Sequence, residues 1–229
     1  MTAVPAPVLL VHGLASSTDL NWREPGWIDL LSDAGREVIG VDLLGHGKAD
    51  KPHDPAAYAD VTSDIAAALP SDGTAVDAVG FSMGARLLLE VACDQASRFD
   101  RIVVAGIGAG VFESGSNEAL ARAIEGGVVD EAHGTARLFA QFAAGSGNDP
   151  AALAAFLRRP SAPLDREKLA TITCPVLVVI GSEDFAQPAE PLAAAFPDAR
   201  LVVLPGVDHF ATPKDFKFLD AALEFLGAV

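Results

Sequence analysis

The sequence predicts an α/β fold: a mostly parallel sheet of about six strands with helices on both faces. Three observations carry this. Short apolar runs alternate with helix-like runs along most of the 229 residues, which is the pattern of βα units on a parallel sheet. The apolar runs are nearly continuous, as suits strands buried on both faces. One of them, Ala75-Val76-Asp77-Ala78-Val79, passes through Gly80-Phe81-Ser82-Met83-Gly84 into the helix-like run Ala85–Ala92. Strand, tight turn and helix are thus contiguous there. A chain of this length fits a single domain, 1–229.

Taken in order, the first strand is expected at about 7–11, where His12-Gly13 closes an apolar stretch. Further strands fit at about 37–42, 75–80, 101–106, 175–180 and 200–204. Helices fit at about 24–34, 60–69, 83–94, 188–196 and 214–227. Residues 107–165 interrupt the alternation and are rich in Gly and Ala, with Phe112, Phe139, Phe142 and Phe156 among them. In this segment Asn117 and Asp149 suit helix N-caps, and Pro150 suits a first helical position. No internal repeat or low-complexity linker is present.

Composition narrows the function classes. The net charge of −15 argues against a nucleic-acid partner and against an anionic membrane surface. The N-terminal stretch lacks a basic region and reads as a core strand rather than a signal peptide. No run reaches the length of a membrane span. Cys93 and Cys174 lie in separate elements, which suits free thiols and a cytoplasmic location. Nothing in the pattern asks for a metal or a cofactor.

The chemistry is read from Ser82. In G-x-S-x-G between a strand and a helix, the serine sits on a sharp turn, and glycines are needed two residues before and after it. The hydroxyl is held clear of the sheet at a helix N-terminus, which favours negative charge. A serine nucleophile needs a base, and the base needs an orienting acid. Of His12, His46, His53, His133 and His209, only His209 follows a late strand, through the Pro205-Gly206 turn. Asp184, just past the apolar run Pro175–Ile180, is the favoured acid; Asp208 and Glu183 are the alternatives. His53 and His133 have no partner pattern and suit surface or cap positions. A histidine base must be neutral to take the serine proton.

Four segments together resemble the α/β-hydrolase-fold superfamily, in its small esterase, perhydrolase and C–C hydrolase branches. They are Leu9–Leu14, Val41-Asp42-Leu43-Leu44-Gly45-His46-Gly47, the Ser82 turn, and Asp184 with His209. The order Ser82, Asp184, His209 is the order of that architecture. The resemblance implies an oxyanion hole from the backbone N–H groups of Leu14 and Met83. It implies structural roles for His12 and His46. The family turn carries Pro where this chain has Leu44. Two strands that usually precede the first are missing, so Glu37–Val41 becomes an edge strand. The segment 107–165 falls where the family inserts a helical cap, with Phe112, Phe139 and Phe142 as candidate pocket residues.

The implied function is hydrolysis of small, largely apolar carboxylic esters, with a small-molecule ester as partner. The alternatives are a cofactor-free perhydrolase, a C–C bond hydrolase, a lyase using the same residues, or a small-molecule receptor on this fold. Halide- and epoxide-cleaving relatives carry Asp at the nucleophile position, so Ser82 speaks against those. An exposed edge strand invites pairing, so either the edge is short and shielded by the loop around His53 and Tyr58 or the protein dimerises through it. A monomer is expected, because the charge of −15 keeps molecules apart.

Overall fold

A computed structural model describes residues 5–127 and 134–229. His133 and the middle of the 107–165 segment lie outside the described residues. Six strands form one all-parallel sheet: β1 (Val8–Val11), β2 (Val38–Val41), β3 (Val76–Phe81), β4 (Phe99–Ala105), β5 (Val176–Gly181) and β6 (Ala199–Leu204). Their order is β2-β1-β3-β4-β5-β6. The order reverses at β1, so the loops after β1 and β3 open side by side at the carboxyl edge, where such sheets collect ligand groups.

Both faces of the sheet are covered. Leu9, Val11, Ala78, Ile102, Val104 and Val178 face one core. Their chain neighbours Val8, Leu10, Val79, Val103 and Leu177 face the other. This is the period of two expected of strands, and it explains why nearly every strand position is apolar. The first face is packed by α2 (Ser63–Ala68) and α3 (Met83–Asp94), the second by α1 (Trp27–Asp33) and by α9 (Phe216–Leu226) near the C-terminus. Trp27 ties α1 to α9: its ring lies 4.7 Å from Phe218, and its Nε1–H donates to the Pro213 carbonyl at 2.9 Å.

Between β4 and β5 lie α4 (Glu118–Ile124), α5 (Gly134–Gly145) and α6 (Pro150–Arg158), followed by the short α7 (Arg166–Leu169). Asp149 caps α6, accepting from the N–H groups of Ala151 and Ala152, with Pro150 in the first turn. Asn117 sits at the N-cap position of α4 without a side-chain bond; the Ser116 hydroxyl takes the Glu118 N–H instead. Arg158 clamps α6 to α4 by pairing with both Glu118 and Glu125.

Several helical boundaries differ from expectation, with α2 starting at Ser63 rather than at about residue 60. The helix expected from residue 24 starts at Trp27, because Gly26 takes a left-handed φ of 91°, and a separate helical turn covers Asp19–Arg23. The helix expected over 188–196 shrinks to α8 (Glu190–Ala193). α7, which is four residues long, is too short to leave a periodic signal.

β2 is an edge strand, four residues long. The loop around His53 and Tyr58 turns toward α6. Tyr58 is buried with its ring 5.7 Å from Phe156, and His53 Nε2 lies 2.8 Å from Asp149 Oδ2. A short edge on a strongly acidic molecule favours the free monomer. Light scattering is expected to return the mass of one chain at low ionic strength. A stable dimer under those conditions would contradict this reading.

Candidate active site

Ser82 follows β3 directly, with φ 52° and ψ −118°, a conformation that L residues avoid. The flanking glycines explain how the turn closes. A Cβ on Gly80 would come within 2.6 Å of the Ala85 backbone. One on Gly84 would collide with the carbonyls of Val11 and His12. Close packing of α3 on β3 and β1 therefore requires both. The Ser82 N–H is anchored by the Ala105 carbonyl at 2.8 Å.

His209 arrives from the loop after β6, and Asp184 from the loop after β5. His209 Nε2 is 2.9 Å from Ser82 Oγ. His209 Nδ1 is 2.9 Å from Asp184 Oδ2 and 3.0 Å from Oδ1. Asp184 and His209 are buried. Asp184 Oδ1 also accepts the Ala186 N–H at 2.8 Å, which fixes the carboxylate. With Asp184 as acceptor, Nδ1 carries the proton and Nε2 presents a lone pair to the serine. The alternatives lie elsewhere: Asp208 Oδ1 accepts the Ala211 N–H, and Glu183 is exposed.

The turn after β1 brings Leu14 to the serine, and both residues line the same cavities. Among the described residues, no acceptor takes the N–H of Leu14 or of Met83, the first residue of α3. Neighbouring bonds hold this turn. Asn21 Oδ1 accepts the Gly13 N–H at 3.1 Å. His12 Nδ1–H donates to the Gly13 carbonyl at 2.8 Å, and Nε2 accepts the Leu43 N–H at 3.2 Å. Asn148, just before α6, donates to the carbonyls of Ala15 and Ser16 and accepts from the Gly47 N–H. One amide thus ties the helical segment to two loops of the sheet. Where the family turn has Pro, the N–H of Leu44 donates to Asp64 Oδ2 at 2.9 Å.

His12 and His46 are fully buried, with ring centroids 5.3 Å apart. Desolvation pulls both below the usual imidazole range, His46 to about 3. The unfolded chain therefore binds more protons than the fold below about pH 6.5. Stability from this source is complete above that pH and is lost as the pH falls toward 3. The limiting slope is about 1.4 kcal/mol per pH unit for each histidine. Denaturant melts at pH 7.5 and 5.0 are expected to show this loss, and His46→Phe to show less of it. An unchanged pH difference in His46→Phe would contradict the assignment.

Two cavities meet at Ser82 and His209. The first, of about 330 Å³, is walled by Leu20, Phe139, Phe142, Phe210 and Pro213 and also contains Glu24 and Lys214. The second, of about 430 Å³, runs between Met83, Ile107, Val111 and Leu157 and also contains Arg86 and Arg159. Phe139 lines both. Phe185 lies over His209, with ring centroids 4.4 Å apart. Of the three expected pocket residues, Phe139 and Phe142 reach the cavity. Phe112 does not: it packs against the core, with the Arg166 guanidinium 3.7 Å above its ring. Asn21, Asn148 and Phe185 were not anticipated. Each works through a contact with another loop or through a stacking, neither of which a local pattern signals.

Among the described residues, no group of three His, Cys, Asp or Glu side chains could hold a metal ion. No helix there is long and apolar enough to cross a membrane.

Comparison with known proteins adds to this geometry. The model of the alpha/beta hydrolase family matches residues 8–219. The uncharacterized protein Rv2715 of Mycobacterium tuberculosis is 28% identical, over 96% of this chain and 74% of that protein. Among solved structures, an esterase from Exiguobacterium antarcticum shares the fold with a TM-score of 0.75 at 22% identity, covering 97% of this chain and 92% of that one. A putative non-heme bromoperoxidase, BpoC from Mycobacterium tuberculosis, does so with a TM-score of 0.74 at 18% identity, covering 97% and 92%.

Proposed function

We infer that this chain, which belongs to the alpha/beta hydrolase family, is a serine hydrolase of small, largely apolar carboxylic esters. One observation carries the reading: Ser82, His209 and Asp184 form a continuous hydrogen-bonded chain, each link at 2.9 Å, opening on an aromatic-walled cavity. The likeness of fold to an esterase agrees with it.

In this reading Ser82 Oγ attacks the ester carbonyl carbon as its proton passes to His209 Nε2. The carbonyl oxygen becomes an oxyanion, held by the N–H groups of Leu14 and Met83 at the head of α3. Asp184 keeps the imidazole in the accepting tautomer and stabilises the imidazolium. Collapse breaks the bond to the alcohol oxygen, which takes the proton from His209. Water then repeats the sequence on the acyl-enzyme: its proton goes to His209, its oxygen to the carbonyl carbon, and Ser82 leaves with the proton. The aromatic walls exclude water and favour an apolar substituent.

A series of fluorogenic esters of rising acyl length tests this. Turnover well above a Ser82→Ala control is expected, with an optimum at short to medium chains that a cavity of about 330 Å³ can hold. No turnover above the control for any member would overturn the reading.

A further inference from the structure

The second cavity contains a cation whose surroundings differ from those of its chain neighbour. Arg158 takes two carboxylates, Glu118 and Glu125. Arg159, one residue on, forms no ion pair among the described residues. Its guanidinium lies 3.7 Å from the centroid of the Phe156 ring, and Nη1 donates to the Phe156 carbonyl at 2.9 Å. These contacts leave most of its five donors open. The residue is half-buried, and desolvation lowers its pKa to about 10. Arg86 lines the same cavity but is engaged: it pairs with Glu90 at 3.2 Å and donates to Ser161 Oγ and to the Ala162 carbonyl. Glu113 is the acidic residue lining this cavity, and it is exposed.

Arg159 also borders a third cavity lined by Glu90, Asp94 and Asp165. Glu90, the carboxylate that acts on it, is paired with Arg86. A half-buried cation with no ion pair of its own carries a desolvation cost that a planar, bidentate anion can offset. Arg159 shares the cavity with Ser82 and His209, so a substrate lying over the serine also reaches its neighbourhood. The net charge of −15 repels anions at long range. An open guanidinium inside the cavity therefore acts as local recognition rather than as steering.

We propose that Arg159 binds a carboxylate of the substrate, so that the preferred ester carries an apolar group in the first cavity and a carboxylate in the second. This rests on the serine-hydrolase reading above and names its substrate class: half-esters of short dicarboxylic acids, or esters of carboxylated alcohols.

The test compares phenyl hexanoate, monophenyl adipate and the hexanoate ester of 4-hydroxybenzoate, which place the carboxylate nowhere, on the acyl side or on the alcohol side. In wild type, kcat/KM for one of the two anionic esters is expected to exceed that for the neutral one. In Arg159→Met, whose side chain still covers Phe156, that ratio should fall about tenfold or more, mostly through KM. Arg159→Lys should lie between, because it keeps the charge and loses the fork. It also replaces Arg159→Met if that variant fails to fold. A wild type that favours the neutral ester, or a ratio unchanged in the variants, would overturn the proposal. If no ester is turned over, the hydrolase reading fails separately. Calorimetric titration of the Ser82→Ala protein with monomethyl adipate then decides the site. Binding that disappears on adding Arg159→Met upholds it, and no binding overturns it.

Discussion

Ser82→Ala is expected to reduce ester turnover by about five to six orders of magnitude, to the level left by binding and oxyanion donors alone. Among the described residues, Ser82 is the serine whose hydroxyl meets His209, although Ser16, Ser146 and Ser161 also line the two cavities. Ser82 is held with a φ of 52° between two glycines that admit no side chain. Alanine removes only the hydroxyl, so the turn, the cavity walls and the stability should change little. Steady-state kinetics, with melting of both proteins as a folding control, checks this. Substantial activity in a folded Ser82→Ala protein would move the nucleophile elsewhere.

The second large effect concerns the acid. Asp184→Asn should lower kcat by about four orders of magnitude, because an amide facing Nδ1 favours the wrong tautomer and cannot stabilise the imidazolium. Asp208→Asn should cost little activity, since Asp208 accepts the Ala211 N–H within its own turn. Asp184 touches the imidazole ring, whereas Asp208 is adjacent to His209 in sequence only. KM for a neutral ester should be nearly unchanged in Asp184→Asn, as neither partner touches the substrate in the ground state. Equal losses in the two variants would contradict the assignment.

The parts of the site that were legible in the sequence are those fixed by short-range rules. A glycine two before and two after a serine, between an apolar strand and a helix, specifies a turn whose geometry depends on five residues. Asp184 and His209 stand just beyond strands whose apolar runs were unmistakable, because the sheet is buried on both faces. The strand bounds shifted by no more than a residue or two. Helices were less legible where a local conformation cut them, as at Gly26.

What was not legible depends on long-range contacts. Asn148 holds the turn at Ala15 from 133 residues away, and nothing in its own neighbourhood marks it. Phe112 is an aromatic in the right segment, yet its ring faces the core and Arg166, because the helical turn Ala109–Phe112 directs it there. That Arg159 forms no ion pair among the described residues, while Arg158 takes two carboxylates, is a difference of tertiary surroundings. Arginine type and position alone do not separate them.

In the proposed mechanism Ser82 is acylated during turnover. The most direct test of this step is intact-protein mass spectrometry after exposure to a serine-directed fluorophosphonate, followed by peptide mapping. One adduct per chain is expected, on the peptide containing Ser82, formed in step with loss of ester turnover and absent from Ser82→Ala. An adduct on another serine, or full inactivation with Ser82 unmodified, would place the nucleophile elsewhere.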